Sequence, residues 1–233
     1  MTETTSNGAE PIIKLRGVGK TFFRGKEPLE VLRSIDLSVP EGAFEALMGP
    51  SGSGKSTLLN LIAGLDQPSK GELVVAGLNV GQMAEGDRAA FRAANIGFVF
   101  QTYNLLPVLT ALENVELPLL LAKLPASERK KRAEIALKVV GLEQRMDHLP
   151  RQLSGGQEQR VAIARAIVTD PKILVADEPT GDLDRDSAND ILNLLEKLNK
   201  DFNKTIVMVT HDPAAAERAS IVRRLDKGNL VAN

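Results

Sequence analysis

The feature that most constrains this chain is a glycine-rich stretch at residues 49–57, which fits the pattern G-x-x-x-x-G-K-[ST]. Its glycines allow backbone N–H groups to approach phosphate oxygens, and a helix that follows presents its positive dipole end to the same anion. The lysine adds a charge near the β- and γ-phosphates, and the next hydroxyl is a ligand for Mg²⁺. We therefore predict that this phosphate loop binds a triphosphate together with Mg²⁺. Its residues are Gly49, Pro50, Ser51, Gly52, Ser53, Gly54, Lys55, Ser56 and Thr57.

The sequence around the phosphate loop has the order that the pattern requires. Residues 43–48 predict a strand before the loop, and residues 56–63 predict a helix after it. Mostly apolar runs at residues 96–100, 173–178 and 205–209, the second of which ends in two acids, predict further buried strands. Strands that alternate with helices indicate an α/β fold, here with a phosphate-loop nucleotide-binding core.

Two carboxylates, Asp177 and Glu178, end one of the predicted strands. In open α/β sheets ligands bind beyond the carboxyl ends of the strands. An Asp in this place suits Mg²⁺, and a neighbouring Glu can orient or deprotonate a water molecule. The alternative is a pair of strand-end caps, which the phosphate loop upstream makes the weaker interpretation.

Two further polar residues follow predicted strands. His211 comes after the strand at residues 205–209, where it either holds a γ-phosphate or is a surface turn residue. Gln101 comes after the strand at residues 96–100. It is either a capping residue or a group that reaches a metal ion or an attacking water, and its local sequence does not decide between these roles.

Residues 105–150 are rich in Leu and Ala, which indicates a helical insert at about residues 85–160. Thr110 and Glu113 have the spacing of a capping box, and residues 127–140 have the pattern of an amphipathic helix.

The next helix begins at the sequence Leu-Ser-Gly-Gly-Gln, residues 153–157, called the LSGGQ segment below. Ser154 and Gln157 have capping-box spacing, but Gly155 and Gly156 are costly at a helix start unless something must approach the backbone. Because a helix N-terminus is an anion site, the segment predicts a second phosphate-binding surface.

Composition excludes several classes of function. The net charge is −1, and the chain has no Trp and one Tyr, so we expect no nucleic-acid partner. It has no cysteine, which excludes disulfides and Cys-ligated zinc. The polar start, residues 1–10, predicts a disordered tail and not a signal peptide. Residues 105–124 contain too many prolines and acids to span a bilayer, so we expect a cytoplasmic chain whose membrane role comes through a partner.

Phe22 and Phe23 are adjacent aromatic residues in an aromatic-poor chain. One of them could stack on an adenine ring. On residue type alone, a core aromatic with an exposed neighbour is the favoured interpretation.

The order of these motifs resembles the nucleotide-binding ATPase subunit of an ABC transporter over nearly all of residues 11–232. The resemblance rests on the phosphate loop, Gln101, the LSGGQ segment, Asp177-Glu178, Asp184 and His211. It implies an ABC-type phosphate-loop core with an N-terminal antiparallel β subdomain and an inserted helical subdomain, together forming one domain at residues 11–233. Residues 97–115 are similar to the branch that contains lipoprotein-release and macrolide-export ATPases.

The resemblance also implies residue roles. In the chain's own site, Phe22 would stack on adenine, Asp177 would organise Mg²⁺, and Glu178 would be the catalytic carboxylate. His211 would hold the γ-phosphate, and Gln101 would bind Mg²⁺ and sense a membrane partner.

Other roles concern a second copy of the chain. The first turn of the helix that begins at the LSGGQ segment would contact the γ-phosphate of ATP held by that copy, through Ser154, Gly155 and Gly156. Gln157 belongs to the same turn. Asp184 would cross the interface between the two copies. ATP would then join two subunits, and its hydrolysis would release them.

The resemblance therefore implies an ATP-hydrolysing homodimer that drives an integral membrane permease, in export or lipoprotein release, from the cytoplasmic side of the inner membrane. A regulatory ATPase that signals through a membrane partner, as in the cell-division relatives, is the alternative. Three residues depart from the family pattern: Glu158 stands where Gln is usual, Glu45 where an apolar residue is usual, and Asp182 where Asn or Ala is common.

Overall fold

The computed structural model describes residues 10–231, so the tail predicted at residues 1–10 lies, except for Glu10, outside the described residues. The strands are β1 (Ile13–Arg24), β2 (Glu27–Val39), β3 (Phe44–Met48), β4 (Lys70–Val75), β5 (Leu78–Asn79), β6 (Ile96–Val99), β7 (Ile173–Asp177), β8 (Thr205–Val209), β9 (Ile221–Asp226) and β10 (Asn229–Val231). The helices are α1 (Lys55–Ile62), α2 (Glu85–Asn95), α3 (Ala111–Glu116), α4 (Ala126–Val139), α5 (Gly155–Ile167), α6 (Arg185–Phe202) and α7 (Pro213–Ala216).

The strands form two sheets. One has the order β10-β9-β3-β8-β7-β6, and its strands from β9 to β6 are parallel. The other is antiparallel and has the order β2-β1-β4-β5. The predicted α/β core and N-terminal antiparallel subdomain are both present. The phosphate loop joins β3, inside the parallel sheet, to α1.

Alternate residues of the parallel sheet face two different layers of the core. On β7, Ile173 and Val175 pack with the antiparallel sheet and α1, whereas Leu174 and Ala176 pack with the helices on the other side. A strand buried on both faces needs apolar residues at every position, which is why the sequence reads as a continuous apolar run.

The hairpin of β1 and β2 is long, and β1 runs without interruption from Ile13 to Arg24. Register shifts near Val18 and Lys20 break the alternation of buried and exposed positions on which a sequence-based strand prediction depends. The hairpin end extends beyond the core, so Phe22 and Phe23 are both exposed, and the prediction that one of them is a core residue is wrong.

The apolar run at residues 96–100 forms β6, which is the edge strand and not a fully buried one. Gly97 and Val99 are buried, while Ile96 and Phe98 are only partly covered. β6 also lies within the predicted helical insert at residues 85–160, so that insert is interrupted by a strand of the core sheet.

The helices of the insert begin where the sequence predicted. The side chain of Thr110 accepts a hydrogen bond from the backbone N–H of Glu113, and the Glu113 carboxylate accepts one from the N–H of Thr110, which forms the predicted capping box of α3. α4 ends before Gly141, which has a φ of +74°. These helices pack on α5, the helix that follows the LSGGQ segment.

Candidate functional site

The phosphate loop has glycines where its path requires them. A Cβ on Gly49 would lie 2.1 Å from the carbonyl oxygen of Leu225, so only glycine fits between the loop and β9. Gly54 has a φ of +103° and is the N-cap of α1. Gly52 has a φ of +77° with no neighbour within 4 Å of a Cβ, so this part of the loop is open.

Two polar side chains of the loop, Ser53 and Lys55, are buried. The Nζ of Lys55 donates hydrogen bonds to the carbonyls of Gly49 (2.9 Å) and Pro50 (3.1 Å), and its side chain is buried. The hydroxyl oxygen of Ser53 is buried without a hydrogen-bond partner in the described part of the chain. A cationic side chain inside a glycine loop at a helix N-terminus fits a polyphosphate.

The structure brings two predicted Mg²⁺ ligands together. The hydroxyl of Ser56 donates a hydrogen bond of 3.2 Å to the Oδ1 of Asp177. Burial raises the pKa of Asp177, the bond from Ser56 and the charge of Lys55 lower it, and the charge of Glu178 raises it further. Between residues 10 and 231, no three His, Asp or Glu side chains are grouped to hold a metal ion by themselves. One hydroxyl and one carboxylate fit Mg²⁺, which keeps several waters and binds substrate phosphates.

Glu178 and His211 also meet. The Nδ1 of His211 lies 2.7 Å from the Oε2 of Glu178, close enough for a hydrogen bond. Glu178 has a φ of +47°, and its N–H donates to the carbonyl of Val209 on β8. A non-glycine residue in this conformation is strained, and such strain is found where a side chain must be aimed at a site. Both side chains line an open cavity of about 550 Å³.

Gln101 lies on the same edge of the sheet, where its Nε2 donates a hydrogen bond of 3.1 Å to the Oδ1 of Asp182. Asp182, one of the three departures from the family pattern, therefore holds the side chain predicted to reach the metal. Gly181 lies beneath this amide, since a Cβ there would be 3.0 Å from the Nε2 of Gln101.

The LSGGQ segment has the predicted capping box. Ser154 accepts a hydrogen bond from the N–H of Gln157, and the side chain of Gln157 accepts one from the N–H of Ser154. A Cβ on Gly155 would lie 2.9 Å from the hydroxyl of Tyr103, and one on Gly156 would lie 3.0 Å from the hydroxyl of Ser187.

The structure does not bring the LSGGQ segment to the phosphate loop of the same chain. Across residues 10–231, no hydrogen bond connects residues 153–157 to residues 49–57. The two capping-box hydrogen bonds of the segment join Ser154 to Gln157 and involve no residue of the phosphate loop.

Asp184 and Phe22 are two further site residues that the resemblance implied. Asp184 is the N-cap of α6, and its pKa is lowered chiefly by hydrogen bonds from the backbone and hydroxyl of Ser187. Phe22 is 41% exposed near the end of the β1–β2 hairpin, and the Nζ of Lys20 lies 4.8 Å from its ring centroid. The ring is therefore available to a planar partner.

Sequence reasoning missed three residues around this site. Gln159 and Arg165 of α5 bind the backbone near Gln101, and Arg223 of β9 pairs with the buried Glu45. Gln159 could have been found, because it falls four residues before Ile163 on the buried face of an amphipathic helix. A buried acid at residue 45 also requires a basic partner, but the sequence does not say which one.

A family model described as "ABC transporter" matches residues 32–181 of this chain. The chain belongs to the ABC transporter family. Its motifs were predicted from the sequence as those of an ABC transporter ATPase, and this assignment is confirmed.

Relatives in the ABC transporter family cover most of the chain. The uncharacterized ABC transporter ATP-binding protein MJ0796 of Methanocaldococcus jannaschii is 49% identical over 223 residues, which are 94% of this chain and 95% of that protein. The macrolide export ATP-binding/permease protein MacB 1/2 of Paracoccus denitrificans is 48% identical over 223 residues. This match covers 96% of the present chain but only 33% of that relative.

A solved structure confirms the ABC-type fold. It is the dimeric, post-hydrolysis state of the MJ0796 cassette bound to ADP and Pi, with a TM-score of 0.86 and 45% identity over 94% of this chain and 97% of that one. The family, the fold and the class of ATP-hydrolysing transporter subunit predicted from the sequence are thus confirmed.

Proposed function

We propose that this chain binds ATP and Mg²⁺ at the phosphate loop and that water attacks the γ-phosphorus, which breaks the bond to the β–γ bridging oxygen and releases ADP and phosphate. Lys55 neutralises phosphate charge, and the hydrogen-bonded pair of Ser56 and Asp177 would hold the metal together with Gln101. Bound Mg²⁺ would neutralise charge on the phosphates. Glu178 accepts a proton from the attacking water at a carboxylate oxygen, and His211 fixes that carboxylate and the γ-phosphate. The single observation that carries this proposal is the 2.7 Å Glu178–His211 contact at the edge that also holds Ser56 and Asp177.

We propose that two copies of the chain close around two ATP molecules. The separation of the LSGGQ segment from the phosphate loop supports this arrangement, because each segment then serves the nucleotide of the other copy. The dimeric state of the MJ0796 cassette supports it too. In this arrangement, the N-terminus of α5 faces the other copy's ATP and is formed by Ser154, Gly155, Gly156 and Gln157. Asp184 lies at the interface between the two copies.

We infer that an integral membrane permease docks beside the segment after β6. Leu106, Val108, Leu120 and Leu121 are exposed apolar residues, and a groove of about 340 Å³ runs between β6, residues 118–121 and α5. Within residues 10–231, no helix has the length and apolarity to cross a bilayer. The chain would thus be held at the cytoplasmic face of the inner membrane by this partner. The macrolide-export relative favours export over signalling.

Replacing the proposed catalytic carboxylate tests the reaction. We expect Glu178→Gln to keep ATP affinity and to lower the hydrolysis rate by about 100-fold or more, the scale of lost general-base catalysis. The variant should accumulate as an ATP-bound dimer, which size-exclusion chromatography with light scattering would detect. The matched control is Glu217→Gln, an exposed acid after α7 that should hydrolyse ATP normally. An unchanged rate in Glu178→Gln would contradict the assigned role.

Purification of the tagged chain from detergent-solubilised native membranes tests whether a permease binds it. The tagged Leu121→Asp variant, purified in the same way, should no longer bind this permease. A permease with a large extracytoplasmic domain, found beside efflux or envelope components, supports export or lipoprotein release. A partner bound to cell-wall hydrolases supports the signalling role instead. Recovery of no membrane protein by either bait contradicts the transporter role.

A further inference from the structure

Gln159 connects the helix of the LSGGQ segment to both sides of the proposed active site. It lies on α5 five residues after Ser154, and its side chain is fully buried. Its Nε2 donates hydrogen bonds to the carbonyls of Phe100 (3.2 Å) and Pro179 (2.6 Å). Phe100 directly precedes Gln101, and Pro179 directly follows Glu178. One amide therefore fixes the backbone next to both side chains.

The same amide carries a cost. Among the described residues, the Oε1 of Gln159 is buried without a hydrogen-bond partner. An unsatisfied buried oxygen lowers stability, and an apolar side chain would fill the space without that cost. The site thus retains a polar group whose benefit lies in the two carbonyls that it holds.

The bond to Pro179 acts on a strained part of the chain. Glu178 has a positive φ, its N–H is held by Val209, and its carbonyl accepts from the N–H of Gly181. A conformation of this kind persists only when its surroundings fix it. Gln159 supplies the contact at the peptide group after Pro179.

Arg165 is a second anchor, six residues further along α5. Its guanidinium donates to the carbonyls of Asn104 (2.6 Å) and Tyr103 (2.8 Å). Within the described part of the chain, no carboxylate pairs with it, so its polar contacts are to this backbone. Residues 100–104 are therefore bound to α5 at both ends, with Gln101 between the anchors.

We propose that Gln159 is a positioning residue through which contact of the LSGGQ segment with the second copy's nucleotide orders Gln101 and Glu178 of its own chain. The inference rests on the proposed ATP-bound dimer. Because α5 is a continuous helix that starts at the LSGGQ segment, a shift of its first turn reaches both carbonyls through one side chain. The two ATP sites of the dimer are then coupled through α5 of each copy.

Gln159→Leu tests this coupling, and Asn199→Leu is its matched control. The Nδ2 of Asn199 also donates to two backbone carbonyls, those of Gly42 (2.7 Å) and Lys204 (2.8 Å), but away from the site. We expect Gln159→Leu to lower kcat about tenfold, the scale of lost buried hydrogen bonds, with KM for ATP changed less than about twofold. A sigmoidal dependence of the wild-type rate on ATP should become hyperbolic. Asn199→Leu should behave as wild type.

Amide hydrogen exchange of the nucleotide-free chain tests the anchoring without requiring a dimer. In Gln159→Leu, the amides of residues 101–104 and 178–181 should exchange faster. Arg165→Lys keeps the positive charge, but lysine lacks the planar guanidinium that binds two carbonyls at once. In this variant, only the amides of residues 101–104 should exchange faster. Unchanged exchange in Gln159→Leu overturns the positioning role. Faster exchange with normal kcat and ATP dependence overturns the coupling. If wild type itself forms no ATP-bound dimer, the proposed function fails, while the exchange result still decides the anchoring.

Discussion

Asp177 is the residue at which the requirements of binding and stability conflict. It lies at the end of β7, partly buried, with Glu178 beside it. Its pKa is raised chiefly by burial, so its ionised form lowers the stability of the folded chain at neutral pH. The opposing contributions of Ser56 and Lys55 do not cancel this effect. A metal-binding carboxylate would thus be maintained for function at a cost in stability.

Asp177→Asn should therefore raise the free energy of unfolding at neutral pH while abolishing Mg²⁺-dependent ATP hydrolysis. An amide oxygen can still accept the bond from Ser56, but the desolvated charge is removed. The folded-state pKa lies above the unfolded one, so the gain should shrink as the pH falls through the folded-state value and Asp177 takes up a proton. Urea unfolding at several pH values measures this difference, with the exposed Asp147→Asn as control. A variant less stable than wild type at neutral pH would contradict the argument.

The side chain of Phe22 is partly exposed near the end of the β1–β2 hairpin. If it stacks on adenine, Phe22→Ala should weaken ATP binding by about 1–2 kcal/mol, roughly 5- to 30-fold in Kd. Phe23, its neighbour on the opposite face of β1, is 71% exposed and provides the control. Titration of each variant with a fluorescent ATP analogue measures both affinities. Equal ATP affinities in the Phe22→Ala and Phe23→Ala variants would show that Phe22 does not stack on adenine.

At the scale of elements, β9 is joined to β3 by an ion pair in the core. The side chain of Glu45 is 1% exposed, and its carboxylate accepts hydrogen bonds from Arg223 at 2.6 and 3.2 Å. Arg223 also donates to the carbonyl of Ser38 at the end of β2. The pair thus connects three strands near the beginning of β3, the strand whose other end leads into the phosphate loop. It explains how an acid is accommodated where the family usually has an apolar residue.

Arg223→Ala should destabilise the chain by about 3–5 kcal/mol, because it leaves a buried carboxylate without a partner. Replacing both residues with apolar ones, as in Glu45→Val with Arg223→Leu, should recover most of that loss. Arg224→Ala, an exposed change on the same strand, should be nearly neutral. Denaturant unfolding compares the three. If the double variant is as unstable as Arg223→Ala, packing and not the unpaired charge accounts for the cost.

Local signals explain which elements could be predicted from the sequence. β7 and β8 are continuous apolar runs, and α3 and α5 begin at capping boxes, so both kinds of element were found. β6 is also an apolar run, but its place at the sheet edge depends on strand order, which a local pattern does not contain. In the site, local motifs were enough to predict the roles of four residues: Ser56, Asp177, Glu178 and His211. The partners of Gln159 and Glu45 depend on tertiary packing.

For the molecule as a whole, the two proposed parts of the ATP site, the phosphate loop and the LSGGQ segment, are not joined by a hydrogen bond within residues 10–231. The phosphate loop leads into α1 from the parallel sheet, and the LSGGQ segment begins α5, packed on the helical insert. The proposed symmetric dimer would satisfy both surfaces, because a two-fold axis would place each segment opposite the other copy's loop. From the sequence, the glycines of the segment predicted a second phosphate-binding surface, and the resemblance to ABC transporter ATPases implied that this surface serves a second copy.

Mixing two inactive variants distinguishes a site shared between copies from a site within one chain. Lys55→Ala damages the phosphate loop. Ser154→Asp keeps an oxygen that can cap α5 but places a negative charge opposite the γ-phosphate. Each homodimer should be nearly inactive. In a mixed dimer, the intact loop of one copy meets the intact LSGGQ segment of the other, so one of its two sites is whole. With random pairing, an equimolar mixture should regain up to about a quarter of the wild-type rate. A rate no higher than the average of the two variants would mean that both residues serve the same chain's nucleotide.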